Sequence, residues 1–287
     1  MEPFVVSTSE GDIHGWHYEG EGPQAVLLHG GPCISASYME PLVPHLAGVF
    51  RQSLYQQRGL APTTVEGPFT VEANVADAAT VIDETAGGRA WIVGHSWGGH
   101  LALQVLAAIP ERVAGAIIVD PLGAHFDVMP EFGERLQAPL SEKDRARVRE
   151  IEAKEEAAGA ATPEESLEDL RLVWPSYFAD PASAPPMPDM DMAVEPFTAT
   201  MASIAEHSEA GTLVRGLSAV PPEIPVLFLH GAASPMPFRA STDTAALIPH
   251  ARVEIVEGAG HFIWLERPHE LSDAICQLVT FDTGRPV

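Results

Sequence analysis

A chain of 287 residues, 46% hydrophobic with mean hydropathy near zero, can bury a large core, which argues against disorder and for one large domain or a domain with an inserted lobe. Forty acidic against 16 basic residues leave a formal charge of −24, which disfavours nucleic acid and anionic membranes as partners and leaves neutral or cationic small molecules. No run approaches the ~18 apolar residues of a membrane span, and Met1-Glu2-Pro3-Phe4-Val5-Val6-Ser7 lacks the basic and apolar regions of a signal peptide, so a soluble cytoplasmic protein is expected.

Phe4–Thr8 and Asp12–Tyr18, joined through Glu10-Gly11-Asp12, read as a hairpin. Gln24–His29 is a largely apolar run ending at Gly30-Gly31-Pro32, as a buried parallel strand followed by a loop would be. Helix is expected over Tyr38–Leu46, strand over Val49–Tyr55, and helix over Val71–Thr85, where apolar residues recur at helical spacing. Ala90–Val93 then reads as a strand, Trp97–Ile109 as a helix and Ala114–Val119 as another buried strand. The pattern resumes with strand Val226–His230, helix Ala240–Ile248, strand Val253–Val256 and helix His269–Val279. This alternation predicts an α/β fold, a mostly parallel eight-stranded sheet with helices on both faces.

Between Gly123 and Leu217 the composition changes, with long runs of Glu, Arg and Ala such as Glu142–Ala158 and a loop rich in Pro and Met from Pro181 to Met192. Its Trp174, Tyr177, Phe178 and Phe197 argue against a disordered linker. The expected organisation is a core of residues 1–122 and 218–287 carrying a helical cap of residues 123–217. Cys33 and Cys276 are the two cysteines of the chain, so neither a disulfide framework nor a zinc site is expected.

Gly94-His95-Ser96-Trp97-Gly98 fits G-x-S-x-G and falls between a predicted strand and a predicted helix, where a serine sits on a sharp turn with its Oγ exposed above the sheet. A serine hydroxyl needs a base within hydrogen-bond reach and donors for the oxyanion formed on attack. His261, in Gly258-Ala259-Gly260-His261-Phe262 after the last predicted strand, lies at the same carboxyl edge of the sheet and is the expected base. The backbone N–H of Trp97, at a helix start, and that of Gly31 are the expected oxyanion donors. His29 and His95 are read as structural.

These segments, with Gln57-Arg58-Gly59 and Gly98-Gly99, resemble the α/β-hydrolase superfamily over nearly the whole chain, and within it the proline iminopeptidase branch and related esterases and lactonases. The peptidases usually carry a Gly where this chain has Cys33 and an Asp where it has Gln56. The resemblance implies a third catalytic residue, an Asp in the loop after the seventh strand that orients the histidine. Here that loop is His230-Gly231-Ala232-Ala233-Ser234-Pro235-Met236-Pro237, with Ser234 at the expected place, and Asp243 lies inside the next predicted helix. Asp120, ending the sixth predicted strand, is the alternative, since some dehalogenases and lactonases of the superfamily similarly carry their acid there.

The expected reaction is acyl transfer through a serine ester without a cofactor, on a small-molecule ester, lactone or short peptide. Ester or lactone cleavage ranks first, with Cys33, Trp174, Tyr177 and Phe178 expected to line the pocket, and Trp97 to supply its floor. An aminopeptidase taking an N-terminal Pro ranks second and would need carboxylates in the lobe, such as Glu164, Glu165, Glu168 or Asp169. A receptor that keeps the hydrolase fold without catalysis is a third reading. The sequence leaves open whether the chain forms a homo-oligomer.

Overall fold

Side by side in one sheet lie eight strands, in a computed structural model that describes residues 1–157 and 161–283. They are β1 (Glu2–Thr8), β2 (Gly11–Tyr18), β3 (Gln24–Leu28), β4 (Arg51–Tyr55), β5 (Ala90–His95), β6 (Val113–Val119), β7 (Val226–Gly231) and β8 (Arg252–Val256). Their order is β1-β2-β4-β3-β5-β6-β7-β8. β2 pairs antiparallel with both β1 and β4, and every pairing from β4 to β8 is parallel.

The central strands read as unbroken apolar runs because both faces of the sheet are covered. Leu28, Ile92, Ile118 and Phe228 point into one core, packed by α2 (Val71–Ala86) and α3 (Trp97–Ala108); their neighbours Leu27, Val93, Ile117 and Leu229 point into the other. That second core is closed by α1 (Val43–Leu46) and by the last helix of the chain. The helix expected over Tyr38–Leu46 is instead a 3-10 segment, Ala36–Leu42, running into α1. Pro41 and Pro44 explain the difference, since neither has an N–H to donate to a continuous α-helical ladder.

Between β6 and β7 come α4 (Met129–Gln137), α5 (Glu142–Glu156), α6 (Pro163–Val173), α7 (Val194–Ala210) and α8 (Thr212–Leu217). Local capping places several starts: Ser141 Oγ accepts from Asp144 N–H ahead of α5, and Thr162 and Glu165 form a reciprocal capping box ahead of α6. Ala158, the end of the acidic run read from the sequence, lies outside the described residues. After β7 follow α9 (Arg239–Ala245), α10 (Ile263–Glu266) and α11 (Pro268–Thr283). No described helix is long and apolar enough to cross a membrane.

Candidate active site

β5 and β6 are neighbours, and Ser96 and Asp120 each stand one residue beyond the carboxyl end of one of them. The ladder continues past both ends, with Ser96 N–H donating to Val119 O at 3.0 Å and Asp120 N–H to Leu229 O at 2.8 Å. Ser96 takes φ 57°, ψ −120°, a conformation rare for any residue with a side chain. The turn is possible only because glycines flank it: a Cβ on Gly94 would stand 2.1 Å from Gly98 O, and one on Gly98 1.9 Å from Leu28 O. The serine is therefore driven up out of the sheet, partly exposed, into a cavity.

Asp120 also takes a positive φ, 44°, tolerated by a short polar side chain. Fully buried, its carboxylate has four close neighbours. Oδ1 accepts from His261 Nδ1–H at 2.8 Å and from Ser234 Oγ–H at 2.7 Å, and Oδ2 accepts from Gly231 N–H at 2.9 Å. His230 Nδ1 lies 3.8 Å from Oδ2. Burial alone would raise this carboxyl, but His230, His261 and the hydrogen bonds from His261 and Ser234 outweigh it and hold the group below its ordinary value. Ser234 also accepts from Met236 N–H at 3.1 Å, so its hydroxyl hydrogen goes to the Asp120 carboxylate. Asp243 is exposed on α9, hydrogen-bonded to Thr242.

His261 is held from its backbone too, its N–H donating to Tyr177 O at 2.7 Å, between α6 and α7. Gly260 permits that approach, because a Cβ there would lie 2.2 Å from the same Tyr177 carbonyl. With Nδ1–H committed to Asp120, Nε2 is the ring nitrogen that can take a proton, and His261 lines the same cavity as Ser96.

The loop after β3 is tied down by His29 and by the Gln56-Gln57-Arg58 segment. His29 donates from Nδ1 to Gly30 O at 2.9 Å and accepts at Nε2 from Gln57 N–H at 3.1 Å; burial pushes it down to about 4, so it stays neutral. Gln57 bridges onward, donating to His29 O at 2.7 Å and accepting from the Trp97 indole N–H at 2.7 Å. Gln56 accepts from Ala36 N–H and donates to Ile34 O, and buried Arg58 forms a bidentate pair with Asp77. Gly30 N–H donates to Tyr38 Oη at 2.5 Å and is thereby consumed. Gly31, at φ 94°, lines the cavity, and Trp97, first residue of α3, has no intrahelical acceptor for its N–H.

The model of the Alpha/beta hydrolase family matches residues 25–274 of this chain. The protein belongs to that family. Among curated relatives, Lipase LipV of Mycobacterium tuberculosis is 32% identical over 111 residues, 38% of this chain, and the match spans only 42% of that lipase. Among solved structures, proline iminopeptidase from Mycobacterium smegmatis superposes with TM-score 0.68 at 19% identity, covering 98% of both chains. Est816, described as an N-acyl homoserine lactone degrading enzyme, gives TM-score 0.66 at 22% identity over 95% of this chain and 99% of its own. These two likenesses are of fold.

The cavity of this alpha/beta hydrolase, about 200 Å³, runs from Ser96, His261 and Gly31 into the helices inserted between β6 and β7. Much of its wall is apolar, including Phe132, Leu136 and Leu170 together with Trp174 and Tyr177, two of the four residues expected there. Trp97 borders it from below. Cys33 and Phe178 do not line it. Cys33 is buried with its Sγ 3.6 Å from Arg58 O, where burial pushes the thiol up to about 12, and Phe178 packs into the aromatic cluster of Trp174 and Phe262.

One part of the cavity wall is acidic. Glu152, Glu155 and Asp169 line it together with Gln137 and Ser166. Gln137 donates to both oxygens of Glu152, and Ser166 to Glu155, whereas Asp169 has a buried oxygen without a hydrogen-bond partner. Burial, then the charges of Glu152, Glu155 and Glu168, pushes Asp169 up to about 7. Of the lobe carboxylates singled out from the sequence, only Asp169 faces the cavity. Glu164 is exposed, and Glu165 and Glu168 pair with Lys154 and Arg147. Sequence reasoning missed Glu152 and Glu155, although a signal was present: Val148 and Ile151, the buried apolar positions of α5, lie one turn before them on the same helix face.

Proposed function

We propose that the protein is a serine hydrolase that cleaves a carboxylic ester or lactone through an acyl-enzyme on Ser96. The observation that carries the reading is the 2.8 Å hydrogen bond from His261 Nδ1 to the buried Asp120, with His261 and Ser96 lining one cavity. In this scheme His261 Nε2 takes the Ser96 Oγ proton as the oxygen attacks the ester carbonyl, and Asp120 stabilises the resulting imidazolium. The N–H groups of Gly31 and Trp97 receive the oxyanion. His261 returns its proton to the leaving alkoxide, and a water activated by the same imidazole then releases the acid and frees Ser96. Residues 123–217 act as a cap whose Phe132, Leu136, Trp174 and Tyr177 hold the apolar part of a small-molecule substrate.

A fluorophosphonate probe tests the nucleophile: labelling of Ser96, abolished in Ser96→Ala, is expected together with turnover of p-nitrophenyl butyrate. An unlabelled, inactive protein would return the chain to the receptor reading.

The acidic part of the cavity wall favours one second reading, an aminopeptidase acting on a substrate with a free ammonium group. Glu152, Glu155 and Asp169 would supply the counter-charge. Side-by-side assays on p-nitrophenyl butyrate, a macrocyclic lactone and proline-β-naphthylamide divide the two, and exclusive cleavage of the last would reverse the ranking.

A further inference from the structure

One buried hydrogen-bonded chain lies beside the proposed catalytic residues without belonging to them. Gly30 N–H donates to Tyr38 Oη at 2.5 Å, Tyr38 Oη contacts His95 Nδ1 at 2.9 Å, and His95 Nε2 contacts the His261 carbonyl oxygen at 3.0 Å. The proton positions follow from the ends. A carbonyl only accepts, so His95 Nε2 carries the hydrogen; its Nδ1 then accepts from the Tyr38 hydroxyl, whose oxygen is left to accept from Gly30. Burial first, and His261 next, keep His95 neutral, while burial keeps the Tyr38 hydroxyl protonated, so this arrangement is fixed across the working range.

The chain joins two things the chemistry needs in register. At one end is the peptide immediately before Gly31, the loop donor to the oxyanion; at the other is the backbone of the base. Contact with the serine is close as well, since a Cβ on Gly30 would stand 2.7 Å from Tyr38 Oη and 2.9 Å from Ser96 Cβ. Both side chains are packed rigidly, Tyr38 edge-on to Phe262 and His95 edge-on to Trp264 with centroids 4.7 Å apart.

We propose that Tyr38 and His95 are positioning residues that lock the oxyanion loop to the His261 backbone, so that donor and base meet the reacting carbonyl together. The proposal rests on the serine-hydrolase reading given above. Its consequence is differential: both side chains line the cavity, but Tyr38→Phe keeps the ring in place and removes only the hydroxyl of the relay, so the loss falls on the transition state more than on substrate binding.

The test compares wild type, Tyr38→Phe, His95→Gln and the double variant on p-nitrophenyl butyrate, with affinity for an alkyl trifluoromethyl ketone. That ketone accepts Ser96 Oγ to give a hemiketal oxyanion, the serine proton passing to His261. Tyr38→Phe keeps the ring and is expected to lower kcat about 10- to 100-fold with KM within about twofold. Ketone affinity should fall in parallel, and the double variant should be no worse than the worse single one, as for members of one unit. Turnover and ketone affinity of Tyr38→Phe within about twofold of wild type, or strictly multiplicative losses in the double variant, would overturn the relay while leaving the nucleophile standing. Wild type that neither labels with fluorophosphonate nor turns over would sink the underlying reading and the relay with it. Thermal unfolding accompanies each variant, and if Tyr38→Phe does not fold, the kcat and KM split of His95→Gln decides.

Discussion

Ser234 Oγ donates to Asp120 Oδ1 at 2.7 Å, on the same oxygen that accepts from His261 Nδ1. The loop position where the resemblance implies an acid thus holds a hydroxyl donor, and the buried carboxylate that meets His261 stands at the neighbouring strand end. Two groups at one carboxylate oxygen share its charge, and a third donor, Gly231 N–H, holds the other oxygen. On the proposed mechanism, Asp120→Asn should lower kcat about 10³- to 10⁴-fold with little change in KM. Steady-state kinetics with circular dichroism checks it; near-normal turnover would refute the assignment. Ser234→Ala removes one donor and is expected to cost under about tenfold.

Moving the acid back is a stronger test. A carboxylate introduced at 234 starts beside the place Asp120 occupies, so Ser234→Asp in an Asp120→Asn background should recover at least about tenfold of the lost kcat. The same substitution in wild type buries two carboxylates in contact and should lower stability and activity together. Recovery absent in the first background, with the fold intact, would mean that the 234 loop cannot reach the imidazole.

Asp169 makes stability depend on pH. Its value of about 7 lies above the ordinary 3.8, so between those values the native state binds more protons than the unfolded chain. By linkage this group lowers stability as pH rises through that window and contributes nothing below it. Asp169→Asn should therefore raise stability by roughly 1–3 kcal/mol at pH 8 and change little near pH 4, as read from thermal unfolding. If the acidic part of the wall takes an ammonium group, the same variant should raise KM for a cationic ester above pH 7 and leave a neutral ester unaffected.

Packing gives two further expectations. Gly98→Ala places a Cβ 1.9 Å from Leu28 O, a backbone atom that cannot yield cheaply, and should cost at least about 3 kcal/mol or abolish folding. Cys33→Ala, by contrast, should leave kcat and KM near wild type while lowering stability by about 1 kcal/mol, because the thiol faces Arg58 O and not the cavity. A large kcat effect in the Cys33 variant, at unchanged stability, would contradict its placement.

Local pattern was enough to identify the alternating strands and helices, the strained turn at Ser96 and the loop of His261. A central parallel strand is apolar on both faces, and a turn that tolerates no Cβ at Gly94 or Gly98 writes itself as glycines. The placement of Asp120 within reach of the His261 loop was also legible, because adjacent strand ends fall at one sheet edge. What the sequence by itself could not determine was which side chains turn toward the cavity. Cys33 and Phe178 are buried outside the cavity, one beside Arg58 O and the other in an aromatic cluster, whereas Glu152 and Glu155 of α5 line it. Tertiary structure alone decided the tie that Tyr38 and His95 make between the Gly30 loop and His261, whose last bond spans 166 residues, since hydrogen bonds between distant segments depend on how helices and loops stack, and composition carries no record of that.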